Sequence, residues 1–189
     1  MNLSRKVSNA LVARGYRRYD RNHLFRVDQD WSFCVDTGPL GKQSDIHPFV
    51  GIRHDGVETI LAELMALPAY DWTGTVGANV GYILGFGYIW WKPPSQPEEV
   101  LRAIDHAIER LRPFLNLERL PELWNTPGTK EPAWRFKEMV ILLLLGKREA
   151  LFERLDAARA VECKNEDEIC EQFRSFEQRI LVRLKILKD

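Results

Sequence analysis

Asp36, Asp45, His47, His54 and Asp55 are acid–base side chains that could converge around the loop after the third predicted strand. Imidazoles among carboxylates are the ingredients of general acid–base catalysis. Asp45 with His47 and His54 is the set on which a small hydrolase or a nucleic-acid-processing enzyme would draw. Spacing argues against a shared metal ion. His47 and His54 are seven apart, and on a strand over 47–54 an odd separation puts them on opposite faces. Cys163 and Cys170 are also seven apart, and two helical turns separate such residues by about 10 Å, too far for one zinc ion. Neither C-x-x-C nor H-E-x-x-H occurs, and no serine sits in G-x-S-x-G. Gly85-Phe86-Gly87 lies between apolar strand-like residues and does not feed a helix, as a phosphate cradle must. No catalytic residue, metal ligand or cofactor is therefore expected. The same acids and histidines serve equally well as turn residues and solvated strand ends.

Charge is more informative than any motif. Lysine and arginine total 27, aspartate and glutamate 27, and the net charge is zero. That balance hides a polarised chain. Residues 1–26 hold seven basic residues and one acid, whereas residues 27–88 hold two basic residues and eight acids. The two segments either pair with each other or leave the acidic one free to face a basic partner. Six tryptophans are many for 189 residues. Most belong in a core, but exposed tryptophan is also a common interface anchor. Acidic residues beside aromatic anchors suit a protein that covers a basic cleft, and the contact residues expected on this reading are Asp28, Asp30, Trp31, Asp36, Asp45 and Asp55. The basic residues Arg17, Arg18, Arg21 and Arg26 alternate with Tyr16, Tyr19 and Phe25, a mixture that can grip a nucleic-acid backbone. Arg17 and Arg18 point to opposite faces of a strand, however, so nucleic acid is not the expected partner.

The elements that must position these residues follow from periodicity. Leu3, Val7, Ala10 and Leu11 predict a helix over 2–14. Strands are predicted at Tyr16–Asp20, Leu24–Asp28, Trp31–Thr37 and His47–His54, with His54-Asp55-Gly56 as a turn. Val57, Ile60, Leu61 and Leu64 predict a short helix over 57–66. Residues 72–91 are uncharged and hold five glycines. Their length would just cross a bilayer, but their composition predicts a buried pair of strands. Glu98 and Glu99 open a helix over 98–112, where the helix dipole favours acids. Beyond Asn116 only helices are predicted, over 133–145, 147–160 and 166–187, the last with Ile169, Phe173, Phe176, Ile180 and Leu184 along one face.

The fold class expected is α+β: an N-terminal helix, an antiparallel sheet with flanking helices, and a C-terminal helical tail. Residues 1–124 form the α+β domain. Residues 125–189 form a helical extension packed on it, with Leu120–Pro132 as the hinge. The first twenty residues lack the apolar run of a secretory signal. With three scattered cysteines taken as free, the cytoplasm is the expected compartment and no membrane contact is expected.

Arg14-Gly15-Tyr16-Arg17-Arg18, His23-Leu24-Phe25-Arg26 and the later Trp90-Trp91 ahead of a Pro- and Glu-led helix resemble a class of small bacterial α+β domains of unknown function. The resemblance covers residues 1–124. Such domains are found beside toxin genes, and the resemblance implies an immunity protein that binds and occludes a toxin. It carries no catalytic motif. A non-enzymatic protein-binding module is thus the leading expectation. The alternatives are the small enzyme described above and a homodimeric scaffold closed through 166–187.

Overall fold

Asn2 begins the fold by capping a helix, its side chain accepting a hydrogen bond from the Arg5 N–H at 3.0 Å. Leu3, Val7 and Leu11 then recur on one buried face, giving α1 (Leu3–Ala13). The computed structural model describes residues 2–38, 45–68, 74–92, 94–130, 133–164 and 168–186. After α1 come β1 (Arg17–Arg18), β2 (His23–Asp28), β3 (Trp31–Asp36) and β4 (Phe49–His54), then α2 (Asp55–Met65), β5 (Val76–Asn79) and α3 (Val80–Leu84). Only helices follow: α4 (Pro97–Leu111), two 3-10 turns, α5 (Trp134–Leu144), α6 (Arg148–Glu162) and α7 (Glu168–Ile186). The fold is α+β, as its sequence pattern predicts.

The chain divides into two compact units, Met1–Asp55 with Tyr70–Glu131, and Gly56–Ala69 with Pro132–Asp189. The first holds an antiparallel five-stranded meander in the order β1-β2-β3-β4-β5. Register places Leu24, Val35 and Val50 in one row, and Phe33, Ile52 and Val76 in the next. All six are buried. α1 lies against β2 and α4, and α4 lies against β4, which covers this face. α4 contributes Val100, Leu101, Ile104, Ala107, Ile108 and Leu111 to the core. Its first helical residue is Pro97 and its first turn carries Glu98 and Glu99, the start that its sequence predicts. The segment expected to act as a hinge is partly ordered core: Leu120–Asn125 is a 3-10 helix against β5 that buries Leu120, Leu123 and Trp124.

The second unit is helical. α2 belongs with it rather than with the sheet. Lys137 Nζ of α5 lies 3.3 Å from Glu58 Oε1 of α2, with both side chains buried. Arg179 of α7 donates to the Leu64 carbonyl at 3.0 Å, and Arg183 pairs with Glu63. On α7 the buried stripe is Cys170, Phe173, Phe176, Ile180 and Leu184, whereas Ile169 is exposed. Phe136 stands edge-on against Phe176 at 4.8 Å. The stripe is covered within the unit, so the open seam that a dimer through 166–187 requires is not present on these residues.

Three local expectations change. The paired strands expected over 72–91 become one strand and a turn of helix, because the Asn79 side chain accepts the Gly81 N–H and ends the strand. Residues 69–73 lie outside the described residues. β4 runs directly into α2 at Asp55, whose N–H donates to the Asp30 carbonyl, so no turn intervenes. Cys163 and Cys170 are not two turns apart on one helix. Cys163 follows α6, Cys170 lies in α7, and a disulfide joins them across a Cα–Cα distance of 4.5 Å. Free cysteines were the premise for expecting the cytoplasm, and among the described residues only Cys34 lies outside a disulfide. No helix among the described residues is long and apolar enough to cross a membrane.

Candidate functional site

The predicted contact residues fall at two ends of the sheet. Asp28 pairs with Trp31 in the register of β2 and β3, and Trp31 with His54 of β4. Asp28, Asp30, Trp31 and Asp55 therefore gather at one end. Two of these acids already have basic neighbours: Asp55 lies 2.7 Å from Arg53 Nε and Asp28 lies 3.9 Å from Arg112. Asp30 is exposed in the hairpin turn. Trp31 is half-buried, its ring edge-on to His54 with centroids 4.6 Å apart. Burial lowers the pKa of His54, against the opposing pull of Asp30 and Asp55. Asp36 and Asp45 lie at the other end of the sheet. Asp36 faces His23 and Phe49 across β3, and Asp45 precedes Ile46, which bridges to Trp91.

The histidines do not converge. His54 ends β4 beside Trp31, whereas His47 precedes β4 and belongs to an aromatic cluster at the opposite end. The set His47, His54 and Asp45 forms no common cleft. His23, which carried no catalytic expectation, has the richer setting. Its Nδ1 lies 2.7 Å from Asp20 Oδ2 and its Nε2 lies 3.6 Å from Asp36 Oδ2. His23, Cys34, Asp36 and Phe49 line a groove of about 240 Å³ on the sheet face opposite α1 and α4. Gly51 and Gly77 lie opposite each other in its floor, where a Cβ on Gly51 would stand 2.6 Å from the Val76 carbonyl oxygen. No three His, Cys, Asp or Glu side chains among the described residues are placed to hold a metal ion.

The most strongly built exposed feature is the loop after α3. Phe86, Tyr88 and Trp90 project from it, exposed by 77%, 37% and 48%. Gly87 and Ile89 alternate with them and are half-buried. This alternation is held by buried Asn79, whose Oδ1 accepts the Ile89 N–H at 3.0 Å and whose Nδ2 donates to the Ile89 carbonyl at 2.9 Å. The Phe86 N–H donates to the Gly81 carbonyl at 2.8 Å, and Ile46 and Trp91 exchange two backbone bonds of 3.0 Å. Gly81 is required here, because a Cβ on it would lie 2.1 Å from the Gly87 carbonyl oxygen. The rings support one another. His47 stacks on Trp90 at 6.2 Å and lies 5.5 Å from Tyr88, which stands edge-on to Tyr82 at 6.1 Å. His47 Nδ1 is buried and has no hydrogen-bond partner among the described residues. Lys92 Nζ lies 5.7 Å from the centre of the Trp90 ring. Burial and the neighbouring Tyr82 raise the pKa of the Tyr88 hydroxyl.

Sequence reasoning used Trp90 and Trp91 in the resemblance, ahead of the Pro- and Glu-led helix. It missed Phe86 and Tyr88, and it missed Asn79, which organises all of them. The alternation F-G-Y-I-W was the available signal, but it reads as a strand until Asn79 is seen to break the strand beforehand. Comparison with known proteins finds no matching family model, no matching curated protein and no matching solved structure.

Proposed function

We propose that the protein is a non-enzymatic protein-binding module whose partner seats on Phe86, Tyr88 and Trp90. The observation that carries this reading is the rigidity of the loop that exposes them. Large aromatic side chains held in place lose little freedom on binding, and tyrosine and tryptophan dominate interface energetics. Asp36 and Asp45 stand at the same end of the sheet and supply negative charge that would speed the approach of a basic partner. The particular partner we propose is a bacterial toxin, occluded by this surface. That choice rests on the resemblance of residues 14–18, 23–26 and 90–91 to domains found beside toxin genes.

The test pairs capture with affinity. The tagged full chain is used to recover its partner from the native host, and the purified pair is then measured directly. Phe86→Ser and Trp90→Ser should each weaken binding by about thirtyfold or more, as expected for hot-spot residues. Phe152→Ser, which alters an exposed aromatic residue of α6, should leave affinity unchanged. Co-expression with the partner should relieve its toxicity, and Trp90→Ser should abolish the relief. If the affinity instead follows Asp28→Lys and Asp30→Lys and ignores the aromatic substitutions, the interface lies at the acidic end of the sheet and this assignment is wrong.

A further inference from the structure

The basic N-terminal segment has no part in the function proposed above. Among the described residues its charges are not neutralised by the acids of 27–88. Arg14 pairs with Asp105 at 2.7 Å. Arg26 lies over the rings of Tyr16 and Phe33, at 4.9 and 5.5 Å. Asp20, the one acid of the segment, directs its carboxylate to the Asn22 N–H, the His23 N–H and the His23 ring. Of the five others, Lys6 and Arg17 share no cavity with the remaining three, Arg5, Arg18 and Arg21. They line a single cavity of about 350 Å³ with Asn2, Ser8 and Asn22, and none of its described lining residues is a carboxylate. Arg18 donates to Asn9 Oδ1 at 3.0 Å. Arg5 and Arg21 are exposed and form no ion pair among the described residues. The wall beside them is firm, because Ser4 donates to the Thr37 carbonyl at 2.6 Å and Ser8 bonds the Thr37 hydroxyl at 2.5 Å.

We propose that this cavity binds the phosphate group of a small phosphorylated molecule. Guanidinium groups present forked N–H donors that match phosphate oxygens, and their bonds to an anion are among the stronger ones available. Three of them around a cavity with no carboxylate among its described lining residues repel one another until an anion enters. The cavity is of the size that takes a small ligand. The layout favours one phosphate over a nucleic-acid strand, because the cations surround a point and do not track a groove. Arg18 lies in register with buried Leu24, on the helix-covered side of the sheet, whereas Arg17 points to the other face. Arg14 and Arg26 are engaged elsewhere.

Calorimetric titration of the full chain with inorganic pyrophosphate at low ionic strength tests this. One saturable site is expected, with Kd raised about tenfold by Arg5→Ala and by Arg21→Ala, the loss of one charged hydrogen-bonding partner each. Arg17→Ala keeps the same net charge as these variants but lies outside the cavity, and should change Kd by less than about twofold, a bulk electrostatic effect only. NMR of the unaltered protein gives a second readout: the Arg5 and Arg21 side-chain N–H signals should shift on titration and the Arg17 signal should not. Absence of saturation, or equal weakening by all three substitutions, overturns the proposal. So does tighter binding of a single-stranded oligonucleotide that also depends on Arg17, which would make the ligand a nucleic acid. Preferential binding of phosphatidylserine vesicles over pyrophosphate would equally overturn it in favour of a membrane surface.

Discussion

Tyr16 shows how one buried hydroxyl sets a pH limit on the fold. Its side chain is buried and its oxygen has no hydrogen-bond partner among the described residues. Burial, opposed chiefly by Arg26, pushes its pKa from 10.0 up to about 12. A tyrosine whose folded pKa is raised contributes stability that is complete below 10.0 and is lost as the pH climbs through about 12. Ultraviolet titration should therefore show a tyrosine ionising near 12, and Tyr16→Phe should remove that component. That substitution also deletes an unsatisfied polar atom, so unfolding experiments should find it neutral or stabilising by about 1 kcal/mol. His54 works at the acid side. Burial lowers its pKa from 6.5, so the folded state resists protonation and loses stability as the pH falls below 6.5. The melting temperature should drop over that window, and His54→Phe should flatten the drop while keeping an aromatic ring against Trp31.

Asn79 and the Lys137–Glu58 pair decide how whole elements are held. Asn79→Ala removes three hydrogen bonds, two of them to the backbone of Ile89. At about 1 kcal/mol each, this should cost about 3 kcal/mol. Hydrogen exchange at the Ile89 amide should accelerate, and partner affinity should fall although no contact residue has changed. In the helical unit, Lys137→Met leaves the Glu58 carboxylate buried without its 3.3 Å cation. The loss should be about 3–5 kcal/mol, whereas adding Glu58→Leu should restore most of it, because an apolar pair avoids the desolvation of both charges. Denaturant melts of the single and double variants check this. A single variant no less stable than the parent would show that the pair does not hold α2 to α5.

Across the whole chain, the cysteines divide by environment. Without reductant, an alkylating reagent should label Cys34 alone, and after reduction all three cysteines should react. Opening the short loop between Cys163 and Cys170 should lower the stability of the helical unit by about 2 kcal/mol, mainly by freeing the unfolded chain. Intact-mass measurement after each step would show at once whether the disulfide is absent in solution.

Much of the architecture was legible before any coordinates. The α1 stripe, the Pro97–Glu99 start of α4 and the core face of α7 depend on neighbours three and four residues away, and sequence periodicity records those directly. The β-forming runs of β2, β3 and β4 are local in the same sense. What tertiary structure alone decided depends on side-chain contacts that periodicity does not record. Asn79 meets Ile89 through a side-chain amide, and this turned an expected strand into a rigid loop that exposes three aromatic rings. Cys163 meets Cys170 because one helix stops before the next begins. The acids chosen for their shared charge separated to two ends of a sheet, since strand register follows the pairing of the core and not the sign of the surface. Arginines that balanced those acids on paper instead surround a cavity of their own, because charge is counted along the chain whereas Coulomb attraction acts through space.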